Sequence, residues 1–222
     1  MADIDWFPLT LSIRVALVAT ALVALIGGAF GWLLARRKFY GRELLDAAIT
    51  LPLVLPPTVL GYYLLVLLGR RSPLGHAIES VTGHPLVFTW GGAVVAAAIG
   101  ALPLMVKTSR TAIAAVDTHL EDAARTLGQS EWRVFVRVTL PLASRGIIAA
   151  TMLSFARALG DFGATLMVAG NIPGRTQTAA IAIFDATQAG RNDYALVLVL
   201  VLSGVALVLA YATNKLVTGT KI

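Results

Sequence analysis

Long apolar runs alternate with short charged clusters along this chain. Five runs approach or exceed the roughly 20 residues that a helix needs to cross a bilayer. They are Leu9 to Ala35, Ala47 to Leu68, Val87 to Val106, Gly146 to Val168 and Tyr194 to Ala212. The predicted fold class is an all-α integral membrane protein with about five transmembrane helices, forming one domain over residues 1–222. A polar loop, 107–145, separates the third and fourth spans. Arg36, Arg37 and Lys38 follow the first run and no small-residue cleavage site does, so it reads as a retained span and not a signal peptide. The apolar segment Thr178 to Ala189 is too short to span and carries Asp185; it is expected as a short helix near the outer surface. No segment repeats at a fixed period.

Composition supports the membrane assignment. The chain is 57% hydrophobic and 14% charged, with mean hydropathy +0.79, against about 25% charge in soluble domains. The net charge of +6 is not a nucleic-acid footprint, because the basic residues sit between apolar runs and form no face of a soluble domain. With the N-terminus outside, the inner segments hold Arg36, Arg37, Lys38, Arg42, Lys107, Arg110, Arg125, Arg133, Arg137, Arg145, Lys215 and Lys221. The outer ones hold only Arg70, Arg71, Arg175 and Arg191. That bias predicts an outside N-terminus and an inside C-terminus. There is no Cys, hence no disulfide and no thiolate metal site. His76, His84 and His119 lack metal spacing, and Arg14 near the outer end of the first span can snorkel.

Two features interrupt the spans. Leu51-Pro-Leu-Val-Leu-Pro-Pro-Thr58 places Pro52, Pro56 and Pro57 inside the second run. Each ring removes a backbone donor and clashes with the preceding turn, so a kink or break is expected there. Such irregular backbone survives at depth where protein covers it or water reaches it, so Pro56, Pro57 and Thr58 fit either a packing kink or a pathway-lining bend. Pro103 reads as a simple kink. In the fourth run Arg157 and Asp161 stand at i and i+4 and can pair. Arg157 lies roughly 18 Å along the helix from Arg145, near mid-bilayer. The pair fits helix packing or a translocation path, and Gly160 and Gly163 would permit close helix approach.

The loop carries the sharpest pattern. Thr118 and Glu121 match a capping box, with Asp117 also placed to cap a helix running to about Leu127. Gly128 suits a left-handed corner. Ser130 can cap a second short helix through Glu131 to Val138, which Pro141 is expected to stop.

This loop resembles the "EAA" loop of inner-membrane permease subunits of ABC importers, E-A-A-x3-G-x9-I-x-L-P. Here the pattern is Asp122-Ala123-Ala124, Gly128, Val138, Leu140-Pro141, with Asp and Val at two positions and Glu121 as a second carboxylate. The resemblance implies a type I ABC importer permease architecture and a loop that docks on a separate ATPase and transmits its closure. No Gly-Lys dipeptide occurs, so the chain has no phosphate cradle of its own. It would bind no cofactor directly, and ATP and Mg would be used by the partner ATPase. LPLVLPPTVLGYYLLVLLGRRSPLG (51–75), FARALGDFGAT (155–165) and NIPGRTQT (171–178) are similar to the molybdate branch, with sulfate and tungstate permeases close behind.

The implied protein performs no chemistry. It would be a homodimer in a bacterial inner membrane, with two ATPase subunits inside and a substrate-binding protein outside. A secondary transporter would need an ion relay at depth, where Asp161 is the one acid. A membrane-embedded enzyme would need a reactive constellation that the sequence lacks. A DNA-binding helix-turn-helix is disfavoured by the tight tethering of the loop at both ends.

Overall fold

The computed structural model describes residues 4–218; Lys221, counted above among the inner cations, lies outside them. Eleven α-helices and one π-helical turn make up the secondary structure of the described residues. The helix α1 (Phe7–Arg36) is the first span. It is followed by α2 (Arg42–Val54) and α3 (Pro57–Leu68), which meet at an angle of 114°. The break expected from the proline cluster is therefore sharp. Pro52 sits inside α2, whereas the chain turns at Leu55–Pro56 and α3 restarts with Pro57 in its first turn, where a missing N–H costs nothing.

After the short α4 (Pro73–Thr82), α5 (Trp90–Ala114) forms the third span. It runs on through Pro103 and ends well beyond the expected Val106. Lys107 and Arg110 consequently lie on the helix, and Arg110 pairs with Asp46 of α2 at 2.9 Å. The polar elbow consists of α6 (Thr118–Thr126) and α7 (Glu131–Val134). Past the elbow a π turn (Phe135–Thr139) leads straight into α8 (Leu140–Leu159). Pro141 therefore does not stop the second elbow helix. Its ring would strike the Arg137 carbonyl in α register, and the wide turn, in which the Leu140 N–H reaches the Phe135 carbonyl, relieves that conflict.

The fourth span breaks at Gly160–Phe162 and resumes as α9 (Gly163–Ala169), a second broken span. Next, α10 (Ala179–Gln188) is the expected short helix, held by Ser12 of α1, whose Oγ accepts from the Ala179 N–H at 2.7 Å. The fifth span is α11 (Asn192–Thr218).

The bundle is centred on α5, which packs on α1, α8 and α9, with α3 beside α9 and α11 beside α8 and α10. Its core is unusually small-chained: Ala16, Ala19, Ala93, Ala97, Ala101 and Ala158 are buried together. In lipid, where apolar surface alone gives no preference for helix over acyl chain, such residues favour association by letting backbones approach. Gly31 shows how closely: a Cβ there would lie 2.1 Å from the Ser109 Oγ of α5.

Candidate functional site

Two constellations gather the residues singled out by sequence, one at the elbow and one at the broken spans.

At the elbow, Asp117 and not Thr118 is the N-cap, its carboxylate accepting from the His119 N–H at 2.9 Å. The capping box expected from Thr118 and Glu121 does not form, because the Glu121 side chain is turned inward. The far end of α6 follows the sequence closely. Gly128 adopts φ +76°, its N–H reaches Arg125 O at 2.9 Å and the Gln129 N–H reaches Ala124 O at 3.1 Å. This is the paired closure of a Schellman end. Ser130 is the N-cap of α7, but its hydroxyl makes no capping bond.

The two adjacent acids part company. Glu121 is buried, and its Oε1 accepts from Arg36 Nε (3.1 Å), Arg36 Nη2 (2.9 Å) and Thr139 Oγ1 (2.6 Å). Arg36 Nη2 also donates to Val116 O at 3.1 Å. Asp122 faces solvent and meets Arg125 at 2.7 Å, which also binds Glu131 at 2.7 Å. Hydrogen bonds to Glu131 first and Asp122 next raise the Arg125 pKa above its already high value, so it stays charged. Leu120, Ala123 and Leu127 line the free face of α6, and Trp132 is exposed just beyond. Val138 and Leu140 flank Thr139 on the wide turn and the start of α8, next to Pro141.

At the broken spans, Arg157 Nη1 meets Asp161 Oδ1 at 2.9 Å. Asp161 does not lie on a continuous helix, as the i, i+4 argument supposed. It sits in the break, and its Oδ2 accepts from the Thr165 N–H (3.0 Å) and hydroxyl (2.7 Å), capping α9. The Asp161 side chain is 1% exposed and that of Arg157 27%. Gly100 of α5 opens room for the guanidinium, since a Cβ there would lie 3.3 Å from Arg157 Nη2. Gly163 lets α9 meet the restart of α3: a Cβ would fall 2.9 Å from Pro57 Cβ and 3.2 Å from the Thr58 N. Gly160 serves no helix contact, contrary to expectation. A Cβ there would meet only its own turn, at Ala156 O. The second and fourth spans thus break side by side, bringing Pro56, Pro57 and Thr58 next to the segment that carries Asp161.

Sequence reasoning missed Arg36, Thr139, Thr165 and Gly100. Thr165 follows Asp161 by four residues and could have been read as its partner. Arg36 was absorbed into a charge count, and nothing local links it to Glu121. Arg14, expected to snorkel, stacks on Trp90 at 4.4 Å from the ring centroid.

Comparison with known proteins places the whole chain. The chain is 47% identical over 188 residues to the molybdenum transport system permease protein ModB of Escherichia coli (strain K12), covering 85% of this chain and 82% of that one. It is 33% identical over 207 residues to the sulfate transport system permease protein CysT of the same organism, covering 91% and 74%. Among solved structures, a chain of the MetNI methionine ABC transporter in an inward-facing conformation superposes with TM-score 0.76 at 15% identity over the full length of both chains. That likeness shows the fold: an all-α membrane bundle of the ABC importer permease type. Residues 27–217 match the family described as "Binding-protein-dependent transport system inner membrane component", and the chain belongs to that family.

Proposed function

We propose that this chain is the membrane-spanning subunit of an ATP-driven molybdate importer, acting as a homodimer. Two ATPase subunits would bind its cytoplasmic side and a substrate-binding protein its outer side, with the N-terminus outside and the C-terminus inside. The greater identity to the molybdenum permease than to the sulfate permease supports molybdate over sulfate. The excess of Lys and Arg at the elbow end supports the orientation.

One observation carries the mechanical reading: the second half of the polar elbow, α7, continues through the π turn into α8, the fourth membrane helix. A displacement of α7 is therefore a displacement of a span. The exposed stripe of Leu120, Ala123 and Leu127 suits a groove on the ATPase, where a small central residue allows close approach. Asp122, Ala124, Gly128, Val138, Leu140 and Pro141 shape the same unit. ATP binding and hydrolysis belong to the partner, and the permease contributes no bond-making step.

At the broken spans, Arg157 gives one Nη1 donor to Asp161, and 27% of its side-chain surface stays exposed. Facing a path, it offsets the charge of a passing dianion. Asp161 keeps that anion from binding too tightly to leave.

The test is reconstitution with the cognate ATPase and binding protein in vesicles. Molybdate uptake should require ATP and exceed uptake of tungstate and sulfate supplied in the same way. Molybdate flux through vesicles that hold the permease without the ATPase would overturn the proposal.

A further inference from the structure

We infer that Glu121 is the strut by which movement of the elbow reaches the membrane helices, while its neighbour Asp122 faces the docked ATPase. The inference rests on the coupling role proposed above and assigns the two acids opposite duties.

Consecutive residues on an α-helix point about 100° apart, and here that rotation separates a buried carboxylate from an exposed one. The Glu121 side chain is 3% exposed and that of Asp122 63%. A single Glu121 oxygen takes three donors, two from the last residue of α1 and one from Thr139 at the end of the π turn. Arg36 passes the connection on to Val116, in the linker between α5 and α6. Four pieces of the molecule therefore converge on one carboxylate: the end of α1, the linker after α5, α6 itself and the entrance to α8.

The covalent routes from α6 to the spans are poor transmitters. Residues 115–117 and 127–130 are non-helical, and a push on α6 would bend them. The π turn is the most irregular point of the helix beyond the elbow, and Thr139 closes it. Charge-assisted hydrogen bonds out of water are shorter and stronger than neutral ones. The node thus holds α6 rigidly to both spans at the place where the backbone would otherwise yield. Glu121 acts through Arg36 and Thr139 and is a positioning residue.

The experiment measures molybdate imported per ATP hydrolysed in the reconstituted complex. Glu121→Gln is expected to lower that ratio by about tenfold, in line with one weakened bond to a charged group. Thr139→Val, which removes a single donor, should lower it by less. Asp122→Asn should instead reduce the amount of ATPase captured by the permease. A second readout is a distance. The absence of Cys allows labels at exposed Lys38 and His119, whose separation should stay the same between nucleotide-free and ATP-trapped complexes while Glu121 is present, and broaden in Glu121→Gln. An unchanged import ratio in Glu121→Gln, or a Lys38–His119 distance that shifts between the two states of the otherwise native protein, would overturn the strut. Failure of the docking reading is distinguishable, because the unsubstituted permease would then capture no ATPase at all.

Discussion

Glu121 sits near the start of α8 and Asp161 just past its end, and each meets an arginine at 2.9 Å with its carboxylate almost sealed from solvent. The two pairs differ in reach. Arg157 and Asp161 are four residues apart and staple one span across its own break, with Thr165 completing the cap. Arg36 and Glu121 are 85 residues apart and exist only once α1, α6 and α8 have assembled. The first arginine keeps 27% of its side-chain surface and the second 14%. Similar chemistry thus serves a local joint in one place and a tie between distant elements in the other.

Deleting each acid in turn tests that contrast most strongly. Glu121→Leu leaves the largely covered Arg36, 14% exposed, with no counter-charge and should cost about 3 kcal/mol, the lower end of the penalty for breaking a buried pair from one side. Asp161→Leu strands the Thr165 N–H and hydroxyl but leaves Arg157 partly accessible, so about 1–3 kcal/mol is expected. Adding Arg36→Leu to Glu121→Leu should recover part of the loss, because an uncompensated charge goes with it. Thermal unfolding of the detergent-solubilised protein reads all three. Should Asp161→Leu prove the costlier single change, the division into local joint and distant tie is wrong.

Two glycines sharpen the comparison within the broken spans. Gly163→Ala forces a methyl to 2.9 Å from Pro57 Cβ, and overpacking of this kind costs about 1–3 kcal/mol. Gly160→Ala, three residues away, meets nothing closer than 3.5 Å and should fall within about 0.5 kcal/mol. The pair of melting curves separates a contact between two broken spans from a mere helix end. Equal shifts would mean that the approach of α9 to α3 does not hold the joint together.

The legibility of the sequence follows the same divide. Period and punctuation announced the spans, the proline break, the glycine corner and the Arg157–Asp161 pair, since each is written within a few residues. The arrangement around Glu121 was not readable. Its pattern with Thr118 matched a capping box, yet the carboxylate found stronger partners in Arg36 and Thr139, and tertiary pairing overrode the local motif. Pro141 was misread for a related reason. A proline was expected to end a helix, but one extra residue in the turn before it accommodates the ring. The break at Gly160–Phe162 was also hidden, because Gly160 and Gly163 looked like packing positions in an unbroken apolar run.

Back at the elbow, Gly128 isolates conformation from contact. Its φ is +76° and a Cβ would touch nothing within 4 Å, so Gly128→Ala should cost roughly 1–2 kcal/mol through backbone strain alone. Gly128→Asn should cost less, since Asn tolerates that region better. Faster amide exchange across 118–126 is the suitable measurement, as the strain falls on the end of α6 and not on the bundle. Equal exchange in the Ala and Asn variants would show that the corner is not held by its left-handed residue.

Asp122→Asn should have the smallest effect on the permease alone, and that smallness is itself informative. The carboxylate is 63% exposed and its partner Arg125 37%, so solvent screens the pair and its contribution lies within about 0.2–1 kcal/mol. Arg125 also keeps Glu131 at 2.7 Å, which pushes the expected loss to the lower end of that range. The neighbouring acid, one residue earlier on the same short helix, is predicted to cost several times more. Thermal melts of Asp122→Asn and Glu121→Gln taken side by side therefore compare an exposed acid with a buried one at almost the same place in the chain. Matching melts would mean that the inward turn of Glu121 adds nothing to the stability of the fold, and the elbow would then be held by its backbone alone.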